Sequence, residues 1–227
     1  PRTGEFTEGF RERGFLPEAF VNLLALLGWN DGTEQELFSL DELIGKFSIE
    51  RIHRGGAKFD FEKAKWFNHE WIKRNSAEQL LPHVKSVLEE KDLSVDNDSL
   101  LKQVIDLVKE RCSLLGDFYD QSSFFFRAPE NIDADSVKPK WNDAKTAFFN
   151  EFVEKLNIQE DWSSENIEAG FKELTAAHAI KPGEVMLPFR IMLVGGKFGP
   201  AVFDIARMIG KEETIARIKK ALSIFRS

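Results

Sequence analysis

The stretch DSLLKQVIDLVKERC, from Asp98 to Cys112, decides the fold class. Its apolar residues Leu101, Val104, Ile105, Val108 and Cys112 recur at three- and four-residue steps, the spacing of one face of an α-helix. Similar signals lie on both sides of it. Toward the N-terminus, Ser76-Ala77-Glu78-Gln79 and Ser39-Leu40-Asp41-Glu42 have capping-box spacing, each leading into apolar residues. Leu16-Pro17-Glu18 opens a further helix with proline in its first turn, and Gly28 closes it. Toward the C-terminus, Ala144, Ala147, Phe148, Phe152 and Leu156 repeat the helical period from about Lys140. Ile167, Phe171 and Leu174 follow a serine cap at Ser163 and Ser164. After Pro182-Gly183 another helix runs from Val185 to Val194. Gly195-Gly196 breaks it, Pro200 starts the next, and Gly210 separates that from a last helix ending near Phe225.

Strand signals are scarce, and no repeat or low-complexity tract is present. The expectation is an all-α array of small helical bundles, with a short turn or hairpin around Ile52 to Phe61. Arg127 to Lys140, with two prolines and several Asp and Asn residues, is the expected linker. A second boundary is expected near Ser76, where the charge changes sign.

The 227 residues are 42% hydrophobic and 12% aromatic, enough for a sizeable core, and the 30% charged fraction suits a soluble folded chain. No apolar run approaches the roughly 20 residues that span a bilayer. The longest, Phe20 to Trp29, is interrupted by Asn22. The opening Pro1-Arg2-Thr3-Gly4-Glu5 suggests a piece cut from a longer chain. The single cysteine, Cys112, has no internal disulfide partner, so a reducing, cytoplasmic compartment is expected, with Cys112 as a small hydrophobe on a helix.

The net charge of −7 is unevenly distributed. Residues 51–75 hold seven basic and three acidic side chains, and residues 181–227 hold nine and four. The intervening and N-terminal segments are acidic. Two basic segments set apart this way suit two docking points for a polyanion, and equally suit solvated helix faces.

Chemistry of its own is hard to find in the chain. His53, His69, His83 and His178 have no metal-ligand spacing, and no carboxylates are paired for acid–base work, so no catalytic or metal site is expected. Gly55-Gly56-Ala57-Lys58 and Gly195-Gly196-Lys197 lack the spacing and preceding strand of a phosphate loop. The segment holding Lys63, Lys65, Trp66, Trp71, Lys73 and Arg74 is more informative, since basic groups hold phosphates and tryptophan covers a sugar or base. The competing reading puts Trp66, Phe67 and Trp71 in the core with the lysines solvating the outer face.

Gly14-Phe15-Leu16-Pro17-Glu18-Ala19 through Leu26-Leu27-Gly28-Trp29 resembles the part of bacterial-type glutamyl-tRNA synthetases just downstream of their Lys-Met-Ser-Lys-Arg-type ATP loop. The likeness continues through Phe38-Ser39-Leu40-Asp41-Glu42-Leu43, Gly56-Ala57-Lys58-Phe59-Asp60 and Lys65-Trp66-Phe67-Asn68. It returns as Pro188-Phe189-Arg190, Gly199-Pro200 and Ile209-Gly210-Lys211-Glu212-Glu213. The blocks keep their order over nearly the whole chain, and residues 120–165 match least.

The resemblance implies a stem-contact region over residues 1–75, then two anticodon-binding helical bundles over 76–137 and 138–227. It implies a tRNA-binding C-terminal part whose catalytic half, with the ATP and glutamate sites, lies upstream. No cofactor is then expected in this part, while ATP with Mg serves the full-length enzyme. The implied partner is glutamate tRNA, with no membrane or DNA and a monomeric fragment. Lys63 and Trp66 fall where family members touch the inner corner of the tRNA. Arg111 falls where an arginine reads the third anticodon base, and Arg190 matches another anticodon-contacting arginine. Gly199, Pro200 and Val202 match a loop and helix start against which anticodon bases pack. Members often carry threonine where Gly199 stands, so a hydroxyl contact is lost here, with Lys197 or Phe198 as substitutes by charge or stacking. The rival reading is an all-α protein-interaction module with no nucleic-acid role.

Overall fold

A computed structural model describes residues 8–53, 55 and 58–225, and among these it contains eleven α-helices and no strand. The chain divides into two units, residues 1–121 and 122–227.

In the first unit, α1 (Pro17–Leu26) packs on α3 (Phe61–Arg74) and touches α2 (Leu40–Lys46), while α4 (Ala77–Glu89) pairs with α5 (Asp98–Val108). Both expected capping boxes form. Ser39 and Ser76 accept the backbone N–H of Glu42 and Gln79, whose side chains reach back to the serine N–H groups. Two buried asparagines join distant segments. Asn68 accepts from Leu16 N at 2.7 Å and donates to the carbonyls of Ser113 at 2.7 Å and Gly14 at 3.3 Å. Asn22 accepts from Phe38 N at 3.0 Å and donates to Glu36 O at 3.0 Å. Each satisfies backbone groups whose burial unpaired is costly.

The helix opened by Asp98 ends at Val108, earlier than its apolar spacing suggests. A 3₁₀ turn, Lys109–Arg111, follows, and Cys112 is buried in extended backbone rather than on a helix. The hairpin expected around Ile52 reduces to one antiparallel bridge between Trp29 and Ile52, beside a 2.7 Å bond from His53 N to Gly28 O. Residues 54, 56 and 57 of that stretch, and with them Gly56-Ala57, lie outside the described residues.

Helix α6 (Asp117–Ser122) reaches the boundary between the units. The second unit holds α7 (Asp143–Ile158), α8 (Ser164–Ala177), α9 (Pro182–Val194), α10 (Val202–Ile209) and α11 (Lys211–Phe225). Its core is a set of touching rings: Phe148, Phe152, Phe171 and Phe189 are fully buried, with Phe171 centred 5.1 Å from Phe152 and 5.4 Å from Phe189. Such pairs add about 0.5–1.5 kcal/mol beyond their burial. Helix α7 is rotated relative to the expected face. Phe148, Phe149, Phe152, Val153 and Leu156 point inward, whereas Ala144 and Ala147 are exposed. The larger rings take the core positions and leave the alanines outside.

Candidate nucleic-acid interface

Helix α3 sorts its residues by face. Asp60 caps it, accepting from Glu62 N at 2.9 Å and Lys63 N at 3.2 Å. Ala64, Phe67, Asn68 and Ile72 are buried, and Trp71 is half-buried. The outward side carries Lys63, Trp66, Lys73 and Arg74. Trp66 is 40% exposed and rests edge-on against Phe67, with centroids 5.0 Å apart. Of the two tryptophans expected either in the core or at a contact surface, Trp66 is at the surface and Trp71 is half-buried, while Phe67 is core. Lys63 Nζ is 2.8 Å from Glu36 Oε1 and 5.7 Å from the centre of the Phe67 ring. It also borders a cleft of about 410 Å³ lined in part by Asn30, Gln35 and His53.

Arg111 ends the 3₁₀ turn Lys109–Arg111, with its side chain exposed. The turn is fixed on both sides of it. Lys109 Nζ donates to Asn75 O at 3.2 Å and pairs with Asp106 at 2.9 Å. His69 Nδ1 lies 2.9 Å from Cys112 O, and because a carbonyl only accepts, that nitrogen carries the proton. The Arg111 guanidinium has no hydrogen-bond or ion-pair partner among the described residues, so its fork of donors stays open to solvent.

In the second unit, Arg190 leaves α9 and turns toward the loop that follows it. Its Nη1 lies 3.1 Å from Phe198 O, 3.2 Å from Gly199 O and 2.6 Å from Pro200 O. Two protons shared among three carbonyls make a bifurcated clasp, which turns these acceptors inward. Gly199 has φ 97°, a conformation that side-chain-bearing residues rarely adopt, and a Cβ there would meet Phe124 Cζ at 3.3 Å. Pro200 is buried, and Val202 is 3% exposed. Val202 therefore offers a surface ligand little but its backbone, at the start of α10, which no side chain caps. Lys197 and Phe198 are the exposed members of the loop, and Lys197 Nζ is 4.0 Å from Asp133 Oδ2.

Beneath the loop, Arg217 is 3% exposed. Its Nη1 donates to Phe124 O and Leu193 O, both at 2.7 Å, and its Nε to Glu213 at 2.7 Å. Burial lowers its pKa, and the Glu213 carboxylate partly offsets this. Neither His69 nor Arg217 stood out as a site residue in the sequence, because their partners are 43 and 93 positions away. Gly195-Gly196-Lys197 comes off the C-terminus of α9, not between a strand and a helix start, so it does not fit a nucleotide's phosphates. Among the described residues no group of three or more His, Cys, Asp or Glu is placed to hold a metal ion, and no helix is long and apolar enough to cross a membrane.

Residues 75–222 match the anticodon binding domain family. The glutamate–tRNA ligase of Flavobacterium johnsoniae is 46% identical over 217 residues, covering 96% of this chain and 43% of that protein. That of Porphyromonas gingivalis is 41% identical over 99% of the chain and 44% of its own length. A crystal structure of a glutamate tRNA ligase from Elizabethkingia meningosepticum, in complex with its amino acid, superposes with a TM-score of 0.89 at 40% identity, covering 98% of this chain and 44% of that one. The chain thus spans under half the length of these relatives. With nearly two thirds of its residues inside the family match, and its fold shared with the ligase structures, the chain belongs to the anticodon-binding domain family, in the form carried by glutamate–tRNA ligases.

Proposed function

We propose that this chain is the C-terminal, tRNA-recognising part of a glutamate–tRNA ligase. It holds the tRNA backbone along the outer side of α3, through Lys63 and Trp66, and reads the anticodon with Arg111 and the Arg190–Val202 region. Stem contact falls to residues 1–75 and anticodon binding to residues 76–137 and 138–227. The observation that carries the proposal is the open guanidinium of Arg111, on a turn pinned from both sides. A cytosine at the third anticodon position offers O2 and N3 acceptors to that fork. A guanine there presents N1–H and N2–H₂ donors, and donors facing donors repel. The base that separates glutamate from glutamine tRNAs is thereby read by attraction and by exclusion.

In the complete ligase, ATP and magnesium serve the activation of glutamate, which is then passed to the terminal ribose of the tRNA. This chain selects and orients the tRNA for that step and works as a monomer in the cytoplasm. A titration with glutamate tRNA carrying C or G at the third anticodon position, at about 50 and 200 mM salt, tests the proposal. Expected are a preference for C, affinity that falls steeply with salt, and loss of the preference in Arg111→Gln. A wild-type chain that binds both tRNAs alike overturns the role of Arg111. Salt-insensitive binding overturns the phosphate contacts and favours a protein-binding surface instead.

A further inference from the structure

We infer that the ring of Phe198 is a stacking platform for one unpaired base of the bound tRNA, supplying affinity without reading which base it is. The inference rests on the anticodon-binding reading and assigns a task that it leaves open, since Gly199 has no side chain to offer.

Phe198 is 45% exposed, whereas Phe124, which it touches, is 3% exposed. Leaving half a phenyl ring in water gives up part of its burial energy, and the surroundings hold this ring in place all the same. From within, Phe124 meets it edge-on, with centroids 5.9 Å apart and planes at 61°. At its side lies Gly196, where a Cβ would come within 2.6 Å of Phe198 Cε1, so the ring uses space that any other residue would fill. Phe124 is itself fixed by the bond from buried Arg217 to its carbonyl. The backbone carrying the ring is clasped by Arg190. A ring ordered in advance loses little entropy when a flat partner settles on it.

The polar character of the loop points to a base rather than to an apolar partner. The carbonyls of residues 198–200 face Arg190, so the loop presents few acceptors outward. Lys197, 58% exposed at its side chain, stands next to the ring, and the uncapped start of α10 adds backbone donors four residues on. Residues 181–227 carry nine basic and four acidic side chains. An aromatic face on a loop that also carries Lys197, 4.0 Å from Asp133, and leads into uncapped backbone N–H groups suits a nucleotide, whose base stacks while its phosphate takes the charge. Every base has a π-face and the ring has no hydrogen-bonding atom, so stacking here is indifferent to base identity. Discrimination is left to Arg111.

Three variants of the whole chain test this: Phe198→Leu, Phe198→Ala and Phe198→Trp, each titrated with the C and G forms of glutamate tRNA. Expected are a loss of affinity of about 5- to 150-fold for Leu and Ala with both tRNAs alike, and recovery to within a few-fold in Trp. The C-over-G ratio and the salt slope stay at their wild-type values, because Arg111 and the phosphate contacts are unaltered, and the recovery in Trp separates a lost platform from a damaged loop. If Phe198→Leu binds as tightly as wild type, or Phe198→Trp binds as poorly as Phe198→Ala, the platform is refuted while the anticodon-binding reading stands. A wild-type chain that does not bind tRNA overturns both.

Discussion

The indole N–H of Trp71 donates to Asn22 Oδ1 at 3.1 Å, joining α3 to α1 across 49 residues of sequence. The same oxygen accepts from Phe38 N, and the Asn22 amide nitrogen holds the carbonyl of Glu36, whose carboxylate pairs with Lys63. One buried carboxamide thus orders the segment beside the proposed tRNA surface. Asn22→Ala leaves a buried N–H, a part-buried carbonyl and an indole N–H without partners. At about 1–3 kcal/mol for a fully buried group and less for the others, a loss of about 2–4 kcal/mol is expected. Urea unfolding checks it, as a lower midpoint at unchanged slope.

That bond also marks how far the sequence can be read. Helix starts at Ser39 and Ser76 were legible because a capping box lies within four residues. The apolar period on α3 does not separate Trp66 from Trp71, since both flank the buried stripe; a hydrogen bond to a residue 49 positions away draws Trp71 inward. Asn22 looked like an interruption in an apolar run and is a structural centre. The end of α5 was misplaced because Cys112 continues the helical spacing although the backbone has already left the helix. At the proposed interface, Arg111 and Arg190 were legible only through family resemblance. Their opposite settings, one open and one clasping a loop, depend on tertiary detail: Arg190 closes on carbonyls 8 to 10 residues on, while the turn carrying Arg111 is held by Asn75 and His69, 34 and 43 positions from their partners.

Asp31 gives the first unit a dependence on acid. Its Oδ1 accepts from Thr33 Oγ1 at 2.6 Å and its Oδ2 from Lys46 Nζ at 2.9 Å. These bonds, the Thr33 hydroxyl foremost and Lys46 next, lower its pKa from the ordinary 3.8 to about 2. Because the folded pKa is the lower one, the stabilisation is complete above the unfolded value and is lost as pH falls through the window from about 3.8 to about 2. Urea midpoints measured from pH 5 to pH 2 are expected to fall more steeply for wild type than for Asp31→Asn. Parallel curves would contradict this.

Cys112 is fully buried, and its thiol donates to Val108 O at 3.5 Å. Burial, assisted by the Asp117 charge, pushes its pKa up to about 12. At pH 8 almost no thiolate exists in the folded chain, and the thiolate is the reactive form. An aromatic disulfide reagent is therefore expected to label the native protein only as fast as the structure opens, with rapid labelling once urea unfolds it. Labelling of native protein at the rate of a free cysteine would show that the 108–112 turn, and Arg111 with it, is not held as described.

Lys63 and Trp66 separate charge from stacking on one helix face. Trp66→Ala removes a ring that is 40% exposed, so tRNA affinity is expected to drop by about 5- to 150-fold with little change in the C-over-G preference. Lys63→Ala removes a charge and is expected to reduce the salt slope by about one. In the free chain, however, Lys63 is paired with Glu36, both side chains being about half exposed. Such a surface pair contributes about 0–1 kcal/mol, so a phosphate can displace the carboxylate, but the displacement opposes binding. Glu36→Gln removes that competitor and leaves Lys63 in place. It is expected to tighten tRNA binding a few-fold at low salt, an effect that should disappear in the Lys63→Ala background. If Glu36→Gln has the same effect with or without Lys63, the change is one of overall charge, and Lys63 does not contact the phosphate backbone.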